Sequence, residues 1–116
     1  MKTNPAHAFS SYHLHKRCID ACLDCAAACD HCASCCTQED DVKMMAKCIR
    51  HDMECAAMCY ATARLLSLGS EKARVLCRIC ADICEACAAE CENHDTDHCR
   101  ECAAACKACA EECRKM

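Results

Sequence analysis

The chain has almost none of the residues that fill an ordinary protein interior. Trp is absent, Phe9 is the only phenylalanine, and Tyr12 and Tyr60 are the only tyrosines. Glycine and proline occur once each, so sharp turns have few places to form and the backbone is biased towards long helices. No run approaches the ~20 apolar residues of a membrane span. Met1 to Arg17 is polar and histidine-rich, without the apolar centre of a secretory signal. Lys and Arg alternate with Asp and Glu under a formal net charge of -4. No broad basic field results, and nucleic acid is not an expected partner. The expected setting is soluble and cytosolic, in one domain spanning residues 1-116.

What the chain does have is cysteine, at 20 of 116 residues. Thiols stay reduced in the cytosol unless they bind metal or serve redox chemistry, which argues against a structural disulfide framework. A reduced thiol packs as a small soft hydrophobe, so Cys and Ala can line a thin core.

The cysteines fall into four blocks. The first holds Cys18, Cys22, Cys25, Cys29, Cys32, Cys35 and Cys36. The second is sparser, with Cys48, Cys55 and Cys59. The third and fourth are near copies, Cys77, Cys80, Cys84, Cys87, Cys91 and Cys99, Cys102, Cys106, Cys109, Cys113, both spaced 3, 4, 3, 4. This is a heptad seam written in cysteine, and each block reads as one helix. Thr37, with Asp40 three residues on, is expected to cap the second helix, and Gly69 followed by Ser70 separates the second and third. Residues 93-97 make the last break. The helices are expected at roughly 7-36, 39-67, 70-93 and 96-115. Short connections force antiparallel neighbours, giving an all-α, up-down-up-down four-helix bundle with cysteines lining the core.

On one helix, residues i and i+4 stand about 5-6 Å apart at Cβ, and two sulfurs there can converge on one ion through bonds near ~2.3 Å. Soft thiolates and low coordination number select Cu(I). Zinc is the rival, but 20 thiolates grouped as five Zn(Cys)4 units would bury five charges of -2, or -10, in one narrow bundle. Cu(I) can share bridging thiolates up to about one ion per sulfur, which nearly cancels the charge. A metal-free Cys/Ala core, a disulfide ladder and iron-sulfur ligation are weaker readings, since Leu would stabilise such a core better and cluster motifs sit in loops. No Cys/His/Asp arrangement singles out a nucleophile, so no enzymatic activity is expected. A zinc-handling or thiol-redox protein is the alternative function.

The repeats Cys77-Arg78-Ile79-Cys80-Ala81-Asp82-Ile83-Cys84-Glu85-Ala86-Cys87 and Cys99-Arg100-Glu101-Cys102-Ala103-Ala104-Ala105-Cys106-Lys107-Ala108-Cys109 resemble those of the bacterial copper storage proteins. The likeness covers nearly the whole chain and is strongest for the cytosolic branch. It implies storage of many Cu(I) ions per chain in the cytosol, inside a homotetramer of four-helix bundles. A copper donor or acceptor protein is an expected partner. The second block, with only three cysteines, departs most from the pattern.

Antiparallel topology sorts the remaining residues by end. Phe9, Leu14, Leu65, Leu66, Leu68, Val75 and Leu76 gather at one end, which reads as plugged. Cys35, Cys36, Met44, Met45, Cys91, His94, His98 and Cys99 gather at the other, where copper is expected to enter. Met45 and His94 continue the cysteine stripes of their helices and are candidate ligands, as is Asp52 on the stripe between Cys48 and Cys55. Met44 and His98 lie one position off. His7, His13, His15, His31 and His51 read as surface histidines. Ile19, Leu23, Leu76, Ile79 and Ile83 are apolar yet off the stripes, and are expected to face another chain.

Overall fold

Alanine-rich sequence between the cysteines carries helix through nearly the whole chain, and a computed structural model describes residues 5-116, with side chains from Phe9 onward. Met1 to Asn4, part of the polar N-terminal stretch, and the His7 side chain lie outside the described residues. The elements are α1 (Pro5–Leu14), α2 (Lys16–Cys36), a 3-10 turn (Val42–Met45), α3 (Ala46–Ser67), α4 (Ala73–Cys91) and α5 (Asp97–Arg114). Helices α2 to α5 run alternately up and down. Each packs against two neighbours, in the pairs α2–α3, α3–α4, α4–α5 and α5–α2. The result is a square bundle within an envelope of 53 × 20 × 18 Å.

Three expectations need correction. The first cysteine block was expected as one helix over roughly 7-36, but the chain bends at His15, whose φ of -101° and ψ of 13° leave the helical region. The hydrogen bonds His15 N–H to Ser11 O and Ile19 N–H to His15 O, both 3.0 Å, survive the bend. Thr37 closes α2 rather than capping the next helix, and its hydroxyl donates to Ser34 O at 2.6 Å. Ile19 is 3% exposed and belongs to the core, whereas Leu23 and Ile79 are exposed and Leu76 and Ile83 half-buried.

Gly69 behaves as expected. Its φ of 75° lets Ser70 N–H reach Leu65 O at 3.0 Å and Gly69 N–H reach Leu66 O at 3.1 Å, which satisfies the last carbonyls of α3. At the start of α5, Thr96 Oγ1 accepts from Cys99 N–H at 3.2 Å.

The core holds few large side chains. Ala26, Ala56, Ala63, Ala81, Ala88, Ala103 and Ala110 are buried beside the cysteine stripes. Such small flanks let the four backbones approach closely, which brings sulfurs from different helices within contact.

Candidate metal column

Nineteen of the twenty cysteines are buried, and all twenty are free thiols. Their sulfurs stack in layers along the bundle axis. At the base, Cys18 Sγ lies 3.7 Å from Cys113 and 4.0 Å from Cys77. Above it Cys22 meets Cys109 at 3.6 Å, and Cys59 meets Cys80 at 3.8 Å and Cys109 at 3.9 Å. The middle layer joins Cys55 to Cys25, Cys84 and Cys106 at 3.8, 3.7 and 4.0 Å. Contacts also run between layers, as in Cys59–Cys84 at 3.6 Å and Cys29–Cys106 at 3.7 Å.

One layer further on, α3 supplies a carboxylate. Asp52 is fully buried, and its Oδ1 accepts from Cys87 and Cys102, both at 3.3 Å, and from Cys91 at 3.6 Å. Burial, then the neighbouring thiols, push the Asp52 carboxyl up to about 10 from its ordinary 3.8. It is therefore a neutral acid near neutral pH unless a cation arrives. The next layer holds Cys48, which lies 3.7 Å from Cys91 and 3.9 Å from Cys99, with Cys32 3.8 Å from Cys99.

The far layer lies at the end where copper is expected to enter. His98 Nδ1 lies 3.4 Å from Cys32, 3.6 Å from Cys99 and 4.0 Å from Cys36. On the other side of the ring, Nε2 meets Glu39 Oε1 at 2.7 Å. A carboxylate there favours the proton on Nε2 and leaves the Nδ1 lone pair facing the sulfurs. His94 has the same support, with Nε2 2.8 Å from Glu90 Oε2, and Glu90 is itself buried. Met45 is buried in the core beside this layer, while Met44 is exposed. Burial pushes the thiols of Cys36 and Cys99 up. His98 was expected one position off the stripe, yet its ring reaches the sulfurs of Cys32, Cys36 and Cys99. Glu39 and Glu90 were not anticipated. Glu90 precedes His94 by four residues, the one signal the sequence carried; Glu39 reaches His98 only through the fold.

Cys35 stands apart from the column. It is half-exposed, with its sulfur 3.6 Å from His31 Nε2. Of the other histidines read as surface residues, His13 and His31 are exposed, and His15 and His51 are half-buried.

The base differs most from expectation. Phe9, Leu14 and Leu68 are 68%, 78% and 65% exposed and Val75 is also exposed. Leu65 and Leu76 are half-buried, and only Leu66 is buried. These side chains mostly face solvent, and Leu14 and Val75 line a groove at the base. Thr62 stands one helical step beyond Cys59 where a cysteine would continue the stripe. Its hydroxyl is buried and, among the described residues, has no hydrogen-bond partner.

Groups whose ligand atoms all lie within 4.8 Å of one another include Cys22/Cys80/Cys109/Cys113, Cys25/Cys55/Cys59/Cys84, Cys25/Cys29/Cys55/Cys106, Cys29/Cys87/Cys102/Cys106 and Cys32/Cys36/His98/Cys99. Adjacent groups share members: Cys25 and Cys55 belong to two, as do Cys29 and Cys106. The arrangement is one of shared thiols, suited to bridged soft ions rather than to separate four-coordinate ones.

Comparison with known proteins agrees. The family model described as "Copper storage protein" matches residues 11–116. The chain is 48% identical over 81 residues to the uncharacterized cysteine-rich protein YhjQ of Bacillus subtilis, covering 70% of this chain and 75% of that one. The fold superposes on the Cu(I)-bound copper storage protein BsCsp3 with a TM-score of 0.84 and 46% identity, over 87% of this chain and 95% of that chain. On a cytosolic copper storage protein from Streptomyces lividans carrying five coppers, the TM-score is 0.86 at 41% identity, over 91% and 93% of the two chains. The chain belongs to the copper storage protein family.

Proposed function

We propose that this protein stores Cu(I) in the cytosol, binding many ions per chain through bridging thiolates and performing no turnover chemistry. The observation that carries this reading is the continuous column of buried sulfurs, with neighbours 3.6 to 4.0 Å apart. Two bonds of about 2.3 Å to a shared ion span such a separation. The ligands are Cys18, Cys22, Cys25, Cys29, Cys32, Cys36, Cys48, Cys55, Cys59, Cys77, Cys80, Cys84, Cys87, Cys91, Cys99, Cys102, Cys106, Cys109 and Cys113, joined by Met45, Asp52 and His94, with His98 added from the geometry. Cys35 serves outside the column, at the rim. Relatives whose names state Cu(I) loading support this reading, as does the cytosolic setting named for the Streptomyces protein. Exposed Leu23 and Ile79, with half-buried Leu76 and Ile83, are consistent with bundles assembling into a tetramer.

Titration of the reduced protein with Cu(I) and with Zn(II), each against a strong competing chelator, tests the function. Close to one tight Cu(I) per sulfur is expected, with few Zn(II). A tight zinc load near one ion per four cysteines would overturn the storage reading and favour zinc handling.

The mouth is the entrance. A neutral imidazole or thioether can receive Cu(I) without first releasing a proton, whereas buried thiols must lose theirs. The Met45→Leu/His94→Phe variant should therefore take up and release copper several-fold more slowly, with total capacity lower only by the few ions at the mouth. Stopped-flow uptake followed by metal analysis measures both quantities, and unchanged rates would place the main entrance elsewhere.

A further inference from the structure

Helices α3 and α4 face each other in a regular register. Cys48 meets Cys91 at 3.7 Å, Cys55 meets Cys84 at 3.7 Å and Cys59 meets Cys80 at 3.8 Å, so each step along one helix is matched by an equal step back along the other. The same register holds where the stripe is not cysteine. Asp52, three residues before Cys55, meets Cys87, three after Cys84, at 3.3 Å. One step beyond Cys59 and Cys80, it places Thr62 opposite Cys77. Cys77 lies 4.0 Å from Cys18, and Cys18 lies 3.7 Å from Cys113. The base layer is therefore three sulfurs and one hydroxyl.

That hydroxyl does not follow ordinary helix chemistry. A buried Ser or Thr inside a helix commonly donates to the carbonyl four residues back, as Ser67 Oγ does to Ala63 O at 2.7 Å on the same helix. Thr62 is fully buried, and among the described residues its Oγ1 makes no such bond. An unused donor in a dry core weakens the metal-free protein. Protonated thiols are weak acceptors, whereas a charged acceptor makes a hydrogen bond roughly twice as strong. Copper loading is what turns these thiols into thiolates. The end of the column has most need of a donor. A sulfur in the middle layers can bridge ions on both sides, but Cys77 meets only the sulfur of Cys18 within 4.0 Å among the described residues, and keeps more of its negative charge. At the opposite end the neutral side chains of His94, His98 and Met45 stand beside the last sulfurs; at the base Thr62 takes that place.

We propose that Thr62 belongs to the copper site at the base: on loading, its hydroxyl donates a hydrogen bond to the Cu(I)-bound thiolate of Cys77 and so helps to hold the copper of the Cys18/Cys77/Cys113 layer. The oxygen is not itself a ligand, since a hard neutral hydroxyl competes poorly with soft thiolates for Cu(I). It acts on the charge of the ligand. Rotation about χ1 moves a helical threonine hydroxyl between two positions, which gives it the freedom to turn from its metal-free position to the sulfur. The hydroxyl then has opposite effects in the two states, weakening the metal-free bundle and tightening the loaded one. A threonine that served only as packing would act alike in both.

This inference rests on the storage reading, and the experiment separates the two. Thr62→Val removes the hydroxyl and keeps the branched shape, while Thr62→Ser keeps the hydroxyl. Each reduced full-length protein is filled with Cu(I) and equilibrated with increasing bathocuproine disulfonate, a Cu(I) chelator, and guanidinium unfolding is measured on the metal-free forms. Metal-free Thr62→Val should unfold at a higher guanidinium concentration than wild type. Loaded Thr62→Val should take up as much copper, but release part of it with a dissociation constant about tenfold higher, the loss of one hydrogen bond to a charged acceptor. Thr62→Ser should keep the wild-type withdrawal curve. A crystal structure of the loaded wild type should place Thr62 Oγ1 within hydrogen-bond reach of Cys77 Sγ. Copper held as tightly by Thr62→Val as by wild type, a metal-free Thr62→Val less stable than wild type, a Thr62→Ser protein that behaves like Thr62→Val, or a loaded structure with the hydroxyl turned to a backbone carbonyl would each overturn the proposal. If wild type and both variants alike lost all their copper to the lowest chelator concentration, the storage reading itself would fail.

Discussion

Loading the reduced protein with Cu(I) is expected to raise its resistance to unfolding by more than ~4 kcal/mol, with little change in helix content. That figure is the linkage contribution of a single site held at a thousand times its dissociation constant, and the column offers many. The metal-free bundle has little to match it. Its interior is Cys and Ala, with Leu66 and Ile19 among the few larger aliphatic side chains buried, so apolar burial per residue is low. It should nevertheless be helical, because alanine-rich sequence and the Gly69 and Thr96 end structures do not depend on metal. Guanidinium unfolding followed by circular dichroism, with and without Cu(I) under anaerobic conditions, tests both points. A metal-free protein with a coil spectrum would show that copper builds the bundle rather than filling it.

Replacing Asp52 by Asn should stabilise the metal-free protein near neutral pH and flatten its pH dependence. The folded state holds the carboxyl at about 10, and the ordinary value is 3.8. Between these values the native protein keeps a proton that the unfolded chain has released. The contribution of this group is therefore fully present below pH 3.8 and is lost as pH rises towards 10, at up to about 1.4 kcal/mol per pH unit. By pH 7 the accumulated loss approaches ~4 kcal/mol as an upper figure. Asparagine carries no charge at any of these pH values. Urea unfolding of both proteins between pH 5 and 8 should show a gap that widens with pH, and the difference cancels thiol titration common to the two. A gap independent of pH would mean that Asp52 is ionised in the metal-free core. With copper bound, the positive ions favour the ionised carboxylate, so the advantage of Asn should disappear.

Much of this architecture is written in the cysteine spacing. The 3, 4 alternation fixes which face of each helix turns inward, and short connections fix the antiparallel order, so the column follows from the sequence with no knowledge of contacts. The features that escaped depend on how elements meet. His15 is neither Pro nor Gly, and its bend leaves the local hydrogen bonds intact, so nothing nearby announces it. Leu14 and Phe9 on α1 stay exposed. Ile19, one residue from the stripe, is buried because a four-helix core is wider than a two-residue seam. His98 reaches the sulfurs of Cys32, Cys36 and Cys99 and is held by Glu39, fifty-nine residues away in the chain. Cys35 sits beside Cys36 in sequence, but a single residue step turns a helical side chain by about 100°, which takes it from the column to the rim.

The narrowness of the bundle carries its own consequence. With only 20 × 18 Å of cross-section shared by four helices, the sulfur layers form one column, and an ion in the middle reaches an end only by passing from layer to layer. Copper held at Asp52 depth leaves through the layers nearer an end. Age and depth are then tied together: the most recently acquired ions near an end are the first returned, and the middle of the column turns over slowest. A pulse of one copper isotope followed by a chase with another would read that order directly, as a release curve whose isotopic composition changes with the fraction withdrawn.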